Sequence, residues 1–537
     1  MKKILFLFLI VLFSCKQENK EVSYLGIVNI EVSGNKEAVP QFEKGLLLLH
    51  SFEYADSRDA FLEAQKTDPE MLMSYWGEAM TYNHPLWSEQ DFENGMEALK
   101  KLKNKQATAK VTELENDFIE GIHILYESDS SKVVRDKNYA DFMSSLNKKY
   151  PDNHEVAAFY ALSLLGSVPD GRDEKTYGKG ADIANGILKE NPKHPGALHY
   201  LIHSYDDPEH AKFALAAADS YSVVAPDASH ALHMPSHIYI NTGHYHEGSV
   251  ANIRAVAVDS SYVTACHAQG VYPLAYYPHN YHFLVATATL EGDSRNAMMA
   301  AEKVSELINV VLMREPAWST LQHFYIIPYH VAVKFGLWDE IMKMENDGAK
   351  LPYPESVRHY ARGMAYLAQN DIKSAKQELC DLELVMKDPV IQELTIWEIN
   401  PMSTLVEISR EVLYGEILAM EGKYEESIAA LEKAIQLEDG LYYNEPPDWF
   451  FSVRHHLGDV LVEAGRYQQA IEVYQQDLNT FPNNGWAYAG LYNAYIGSEN
   501  YEEAGKAKMN YEEAFRHSDI DLAGSRILVN KEYISMR

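Results

Sequence analysis

The stretch LGDVLVEAGRYQQAIEVYQQDLNTFP, residues 457–482, decides the fold of this chain. Its apolar and small residues follow a helical spacing that is interrupted once, at Gly465, and the aromatic residue Tyr467 follows two positions later. In a unit of two antiparallel helices, small residues lie where the helices cross closely, a glycine ends the first helix, and an aromatic ring fills the gap between the two. The stretch therefore predicts one helical hairpin of a 34-residue repeat.

The same spacing recurs along the chain. It is found, with or without insertions, at residues 45–69, 363–379 and 415–434 and around Gly243, Gly292 and Gly336. Each hairpin of this kind buries its apolar face only against its neighbours. We therefore predict an all-α fold, a superhelical α-α solenoid of stacked hairpins. Loop insertions, which often lie at the binding edge of a solenoid, are predicted at residues 83–91, 168–180, 266–278 and 439–448.

Composition narrows the class of protein. A chain of 537 residues is too long for one compact core and, with 46% hydrophobic residues, too apolar for disorder. We divide it after residue 36 into an N-terminal helical block, residues 37–310, and a C-terminal block, residues 311–537. The formal net charge of -31 disfavours contacts with phosphate backbones, which need a basic stripe, so we expect no nucleic-acid partner.

Residues 1–14 are typical of a signal peptide. Two lysines precede an apolar run, Ile4 to Phe13, that is too short to cross a bilayer. The tripeptide Leu-Phe-Ser before Cys15 resembles a bacterial lipobox. This resemblance implies that Cys15 becomes a lipidated, palmitate-bearing N-terminus and that residues 15–36 tether the protein to the cell outer membrane through acyl chains. An ordinary secretory signal with an incidental cysteine is the alternative.

The positions of histidine follow the repeat. The slots thirteen, ten and six residues before the glycine that ends a first helix are repeatedly His. In four consecutive blocks, nine of the twelve slots hold it: His199, His203, His230, His233, His237, His279, His282, His323 and His330. Slots three, four or seven residues apart share one face of a helix. We predict that this face lines a concave groove in the N-terminal block that continues into the start of the C-terminal block. Asp206 and Asp207 are predicted to extend this face by one turn.

Three interpretations of these side chains compete. In the first, they pack between helices and bond to backbone carbonyls or Asp side chains. In the second, they bind a polar small molecule or a glycan together with Asp and Tyr side chains, and no cofactor is needed. In the third, they bind Zn or Cu, because the i, i+4 pairs His199–His203 and His233–His237 each let two imidazoles reach one ion. Pro235 is expected to kink the second pair and turn one ring away.

Sequence motifs of catalysis are absent. The chain contains no HExxH, GxSxG or GxxxxGK[ST] stretch, and no nucleophile with a base stands at a recognisable spacing. No reaction is therefore specified, and we expect binding rather than catalysis. A metal-dependent enzyme that uses the same His and Asp side chains is the alternative.

Four motifs carry a resemblance to a known family: HYLIH (199–203), HALHMPSHIY (230–239), YPHNYH (277–282) and PPDW (446–449). Together with the repeats they resemble a group of large, histidine-rich bacterial tetratricopeptide-repeat proteins. The resemblance covers most of the chain and implies the helical solenoid, but it implies little about chemistry, because that group has no agreed activity.

In length, lipid anchor and helical scaffold the chain is also similar to outer-membrane lipoproteins that capture glycans for polysaccharide-utilisation systems. That similarity implies an accessory role in polysaccharide degradation, with a glycan or an envelope protein bound in the groove. A scaffold that binds only other proteins is a further alternative.

Overall fold

Helices pair into antiparallel hairpins throughout the part of the chain that the computed structural model describes, residues 24–106, 110–127, 129–169, 171–266, 277–344 and 350–528. The helices are α1 (Val39–His50), α2 (Tyr54–Thr67), α3 (Leu72–Met80), α4 (Phe92–Gln106), α5 (Glu113–Tyr126), α6 (Lys132–Lys149), α7 (His154–Gly166), α8 (Glu174–Glu190), α9 (Pro195–Ser204), α10 (Leu215–Val224), α11 (Ser229–His233), α12 (Pro235–Thr242), α13 (Tyr245–Cys266), α14 (Tyr277–Glu291), α15 (Ser294–Leu307), α16 (Thr320–Lys334), α17 (Trp338–Lys343), α18 (Pro352–Ala368), α19 (Ile372–Val385), α20 (Val390–Glu393), α21 (Met402–Met420), α22 (Tyr424–Asp439), α23 (Arg454–Glu463), α24 (Tyr467–Thr480), α25 (Gly485–Gly497) and α26 (Tyr501–Ala514).

Two short antiparallel strand pairs interrupt the helices. They are β1 (Asn83–His84) with β2 (Glu89–Gln90), and β3 (Thr395–Ile396) with β4 (Asn400–Pro401). The first pair, with a 3-10 turn at Pro85–Trp87 between its strands, forms the loop insertion that was predicted at residues 83–91. The predicted leader and Cys15 lie outside the described residues, as does most of the insertion predicted at residues 266–278.

The hairpins have the internal geometry that the repeat predicts. The first helix of a hairpin ends at a glycine in the left-handed region, with φ of 75° at Gly243 and 73° at Gly465. Residues with a side chain avoid this region, so glycine permits the turn. The ring of Tyr474 fills the space beside Gly458 and Gly490, where a Cβ atom would lie 2.2 Å and 2.0 Å from ring carbon Cζ. The prediction of an all-α solenoid of stacked hairpins is confirmed.

The order of the first helices decides where histidines meet. Helix α9 contacts α12, α12 contacts α14, and α14 contacts α16. Only one residue lies between the end of α11 and the start of α12, so the two helices continue along one line of the stack. Side chains at i, i+3 and i+4 on neighbouring helices of such a stack face a common space. The histidine slots of α9, α11, α12 and α14 are therefore brought together.

The superhelix also brings C-terminal hairpins against the middle of the chain. The indole Nε1 of Trp486 donates to the carbonyl of Thr289 over 2.9 Å. The loop between α22 and α23 reaches further back, and the hydroxyl of Tyr443 donates to the carboxylate of Asp206 over 2.8 Å. This loop corresponds to the insertion predicted at residues 439–448. The histidine face is thus covered by residues from the other half of the sequence.

Two clusters of buried apolar side chains form the core. One extends from Leu25 to Tyr239 and the other from Ile240 to Leu528, so they divide inside α12. The block boundary between residues 310 and 311 stays a prediction. In the described part of the chain, no helix combines the length and the apolar character that crossing a membrane requires.

Candidate functional site

Three histidines from α9 and α11 converge on one point, and we call them the first triad. They are His199, His203 and His230. The Nε2 atom of His199 lies 3.1 Å from Nε2 of His203 and 3.1 Å from Nε2 of His230. The i, i+4 spacing within α9 places the first two rings, and α11 supplies the third from the next position in the stack. Three imidazole nitrogens at this separation match the donor set of a transition-metal site.

The orientation of the first triad is set by its central ring. The Nδ1 atom of His199 lies 2.7 Å from the main-chain carbonyl of His50. A carbonyl only accepts, so Nδ1 carries the hydrogen and Nε2 presents its lone pair to the other two rings. Burial lowers the pKa of His199, His203 and His230 well below the usual range, and neighbouring imidazoles add to the effect. The rings are therefore neutral, which is the form that binds a metal ion.

A second triad follows on α11, α12 and α14: His233, His237 and His279. The Nε2 atoms of His233 and His237 are 2.8 Å apart, and the donor atoms of all three rings lie within 4.8 Å of one another. Pro235 does not turn a ring away, as the sequence led us to expect. Although α11 ends at His233 and α12 begins at Pro235, Met234 between them keeps helical angles, φ -51° and ψ -34°, so both rings stay on one face.

In the second triad, the Nδ1 atoms of His233 and His237 each face a hydrogen-bond acceptor. For His233 it is the side-chain oxygen of Asn252, at 2.8 Å. The amide nitrogen of Asn252 donates to the carbonyl of Gly248, which identifies its other atom as the oxygen. For His237 it is the carboxylate of Asp206, at 2.5 Å. With hydrogens on both Nδ1 atoms, the two Nε2 lone pairs point at each other, and a proton or a metal ion has to lie between them.

Acidic groups lie on one side of the second triad. Asp206 is fully buried, and Glu445 brings a carboxylate oxygen to 3.4 Å from Nδ1 of His237. Burial alone disfavours a charged His237, but Asp206 and Glu445 outweigh it and raise the pKa of His237 to about 10. Without a metal ion, the proton between the Nε2 atoms therefore belongs to His237. Asp207 is not part of this group, because it bonds to His210 and Arg172 instead.

The remaining predicted histidines lie in a separate aromatic environment. His282, His323 and His330 are buried, and the ring centroids of the first two are 5.7 Å apart. His323 shares a 2.8 Å hydrogen bond with the hydroxyl of Tyr353, and His330 packs edge-on against Trp449. These three histidines thus do not belong to either triad.

Access to the predicted site is limited. His199, His233 and His237 are buried, whereas His203, His230 and His279 are partly exposed. The face predicted to line a concave groove is therefore mostly covered, and its accessible part consists of one or two rings from each triad. The hypothesis of a polar small molecule or glycan stays a prediction, and these partly exposed rings are the ones that such a ligand can reach.

Another buried group resembles the triads in composition but not in hydrogen bonding. Glu155 lies between His50 and His194, with its oxygens 2.8 Å and 3.2 Å from the Nε2 atoms of these rings. Nδ1 of His194 accepts from the backbone nitrogen of Ala197, and Nδ1 of His50 is bonded to the hydroxyl of Tyr200. Both Nε2 atoms can therefore carry hydrogens: that of His50 donates to the carboxylate, and that of His194 lies at ion-pair distance from it. In contrast to the triads, both Nε2 atoms of this group face a carboxylate.

Several residues of the site were missed by reasoning from sequence. The carbonyl of His50, the side chain of Asn252 and the loop residues Tyr443 and Glu445 come from outside the histidine slots. Of these, only Tyr443 and Glu445 were indicated by the sequence, because their loop falls in a predicted insertion. Asn252 is on the second helix of its hairpin, where the slot pattern does not extend.

Comparison with known families agrees with the fold. The tetratricopeptide repeat family matches residues 412–440 and 461–507. The chain therefore contains tetratricopeptide repeats, as predicted. A search of curated proteins gives no match.

Solved structures of repeat proteins cover most of the chain at low similarity. A human IFIT1 dimer with m7Gppp-AAAA is 13% identical over 91% of this chain and 97% of that chain, with a TM-score of 0.33. The P58(IPK) TPR domain is 12% identical over 90% of this chain and 96% of that chain, with a TM-score of 0.20. Likeness at this level carries no argument about ligands, so the expectation that nucleic acid is not a partner stays a prediction.

Proposed function

We propose that this chain is a metal-binding tetratricopeptide-repeat protein whose two triads each hold one transition-metal ion. One observation carries the proposal: in His199, His233 and His237, Nδ1 faces a carbonyl, amide or carboxylate oxygen while Nε2 is turned toward other imidazoles. Protein metal sites orient imidazole ligands through such acceptors on the opposite ring nitrogen. A hydrogen bond between two such rings needs a proton on one of the facing Nε2 atoms, which are 2.8 Å and 3.1 Å apart, and a metal ion can take the place of that proton.

The donor set favours Cu or Zn among the available ions. Imidazole is a ligand for Zn, Cu, Fe and Ni, whereas Mg and Ca prefer oxygen. Three histidines leave one position of a tetrahedral ion open, which is the arrangement of sites that bind a further ligand rather than of closed structural sites. This agrees with the third interpretation of the sequence and extends it, since each i, i+4 pair gains a third ring from a neighbouring helix.

Metal analysis of the purified full chain tests the proposal. The protein is loaded with Cu(II) or Zn(II) and dialysed against buffer with a weak chelator. Its metal content is then measured by elemental mass spectrometry. We expect two ions per chain, one for each triad. His203→Ala and His279→Ala, which change the partly exposed members, should each retain one ion.

The matched control is His246→Ala, because His246 lies outside both triads and stacks on His517. It should retain both ions. A wild-type chain without stoichiometric metal would overturn the proposal, and so would triad variants that hold as much metal as the control.

The cellular location and the partners are separate proposals, which do not rest on the triads. Lipid attachment at Cys15, an outer-membrane location and a role beside polysaccharide degradation are supported only by the sequence of the leader and by similarity of architecture. Labelling with radioactive palmitate, compared between the wild-type chain and Cys15→Ser, tests the anchor. Label that persists in the variant would contradict it.

A further inference from the structure

We infer that the two triads act as one dinuclear centre, which holds a single small anion, of the size of azide or hydroxide, between its two ions. The inference rests on the proposed function, and it adds a ligand class and a cooperation between the sites. Two independent mononuclear sites in one protein are the alternative.

Proximity is the first argument. The rings of His203 and His237, one from each triad, have centroids 6.2 Å apart. The rings of His230 and His233 form a second such contact, with centroids 6.1 Å apart. Within the triads the ring centroids are 4.8 Å to 6.4 Å apart, so the contacts between the triads fall inside the same range. The six rings therefore form one continuous cluster without an intervening layer of side chains.

Charge is the second argument. Six imidazole ligands bring no negative charge of their own to two divalent ions, and the carboxylates that face ring nitrogens of the triads in the described part of the chain, Asp206 and Glu445, both lie at His237. Two like charges at short distance in a medium of low dielectric constant repel strongly. An anion bound to both ions offsets this repulsion, and the open position on each ion is where it binds.

The surroundings restrict the size of that anion. Phe52 lies against the first triad, with its ring centroid 4.3 Å from that of His199. Phe283 lies against the second triad, with its ring centroid 4.3 Å from that of His237. Both phenylalanines are buried, so apolar walls stand at contact distance from the ligands on either side. A small ligand would reach the centre past the partly exposed His203, His230 and His279.

The turn that ends α1 places one of these walls. Phe52 adopts a positive φ of 58°, a conformation that bulky residues rarely take. Its ring also stacks over His203 and His230, at centroid distances of 5.9 Å and 5.7 Å. Phe52 takes this conformation at the end of α1, where the backbone nitrogen of Glu53 donates to the carbonyl of Leu48, and the turn sets its ring against all three ligands of one triad.

Electron paramagnetic resonance of the Cu(II)-loaded full chain, titrated with azide, tests the inference. A single anion that bridges two Cu(II) ions pairs their unpaired electrons. We expect saturation at one azide per two copper ions, together with loss of most of the Cu(II) signal. In His203→Ala or His279→Ala, which retain one ion, azide should leave the signal at full intensity. If either alanine variant does not fold by circular dichroism, His203→Gln and His279→Gln replace it.

The outcomes separate this inference from the proposed function. Two copper ions that keep their full signal and bind azide in two independent steps would overturn the dinuclear centre and leave the metal-binding proposal intact. One copper ion per chain would also overturn it. A chain that binds no copper, and no other transition metal, would overturn both.

Discussion

The second triad and the buried cluster around His455 in α23 use the same residue type in opposite ways. Nδ1 of His455 accepts from the side-chain nitrogen of Lys334 over 2.7 Å, and its Nε2 donates to Asp477 over 2.9 Å. Both ring nitrogens are thus occupied by side-chain partners. In the triad, His233 and His237 use only Nδ1 in this way and turn Nε2 toward each other.

A high density of histidines does not by itself indicate a metal site. The decisive feature is which nitrogen carries the hydrogen, because an acceptor fixed at Nδ1 leaves the lone pair of Nε2 for an ion. The group of His50, Glu155 and His194 belongs with His455 in this respect, since a carboxylate faces the Nε2 atoms of both rings. These clusters therefore serve packing, whereas the triads are the groups that we propose to bind metal.

The largest effect is expected from His237→Ala. The change removes a ligand and leaves the carboxylate of Asp206 buried without its ionic partner, a situation that costs about 3 to 5 kcal/mol. We expect urea unfolding of the metal-free variant to show a loss of this size, and metal analysis to show one ion. His237→Gln, which can still donate to Asp206, should lose less stability. An unfolding free energy equal to that of the wild type would contradict the assigned ion pair.

A smaller effect on metal affinity is expected from Asn252→Ala. Loss of the acceptor at Nδ1 of His233 frees the ring to rotate, and changes of this kind weaken metal binding about 10- to 100-fold. Competition with a chelator measures the affinity. Asn252→Asp keeps an acceptor and should bind more tightly than the alanine variant. In the other cluster, the side-chain amide of Asn484 donates to Asp477 over 2.8 Å. Asn484→Ala should leave both ions bound at wild-type affinity, and a loss of affinity there would contradict the distinction between the two clusters.

His455→Ala should affect stability and not metal. Removing the ring deprives Lys334 and Asp477 of a hydrogen-bond partner inside the core, which costs roughly 1 to 3 kcal/mol for a buried polar group left unsatisfied. Two ions per chain should remain. If the variant instead loses an ion while staying folded, His455 is a ligand, and the distinction between the two regions fails.

The smallest effect concerns pH. Burial lowers the pKa of Lys334 to about 7, against the partial compensation of Asp477 and other carboxylates, from an ordinary value of 10.5. Between these values the unfolded chain binds more protons than the folded chain, so stability rises with pH, by at most about 1.4 kcal/mol per pH unit. Unfolding in urea at pH 7, 8 and 9 measures this slope. Lys334→Met should flatten it, and an unchanged slope would show that Lys334 is not its source.

Much of the fold was predictable from sequence, because each hairpin repeats a local rule. The glycine that ends a first helix, such as Gly465, and the aromatic ring against a small residue, such as Tyr474 against Gly458, act within one repeat or between neighbours. The pairs His199–His203 and His233–His237 were predictable for the same reason, since i, i+4 spacing is local.

The rest of the site depends on how helices stack and on distant chain segments. Which third ring joins each pair follows from the contact between neighbouring first helices, and Tyr443 reaches Asp206 from 237 positions further along the chain. The slots of His323 and His330 are equivalent in sequence to those of the triads. They became core instead, because Trp449 and Phe451 from the loop before α23 pack around His330.

Anomalous diffraction from crystals of the Cu- or Zn-loaded chain, collected at the absorption edge of the metal, is the most direct test. We predict two peaks, one in the triad of His199, His203 and His230 and one in the triad of His233, His237 and His279, each about 2.0 Å from the Nε2 atoms. Triads without a peak, or peaks confined to the cluster of His455 or to surface histidines, would contradict the account.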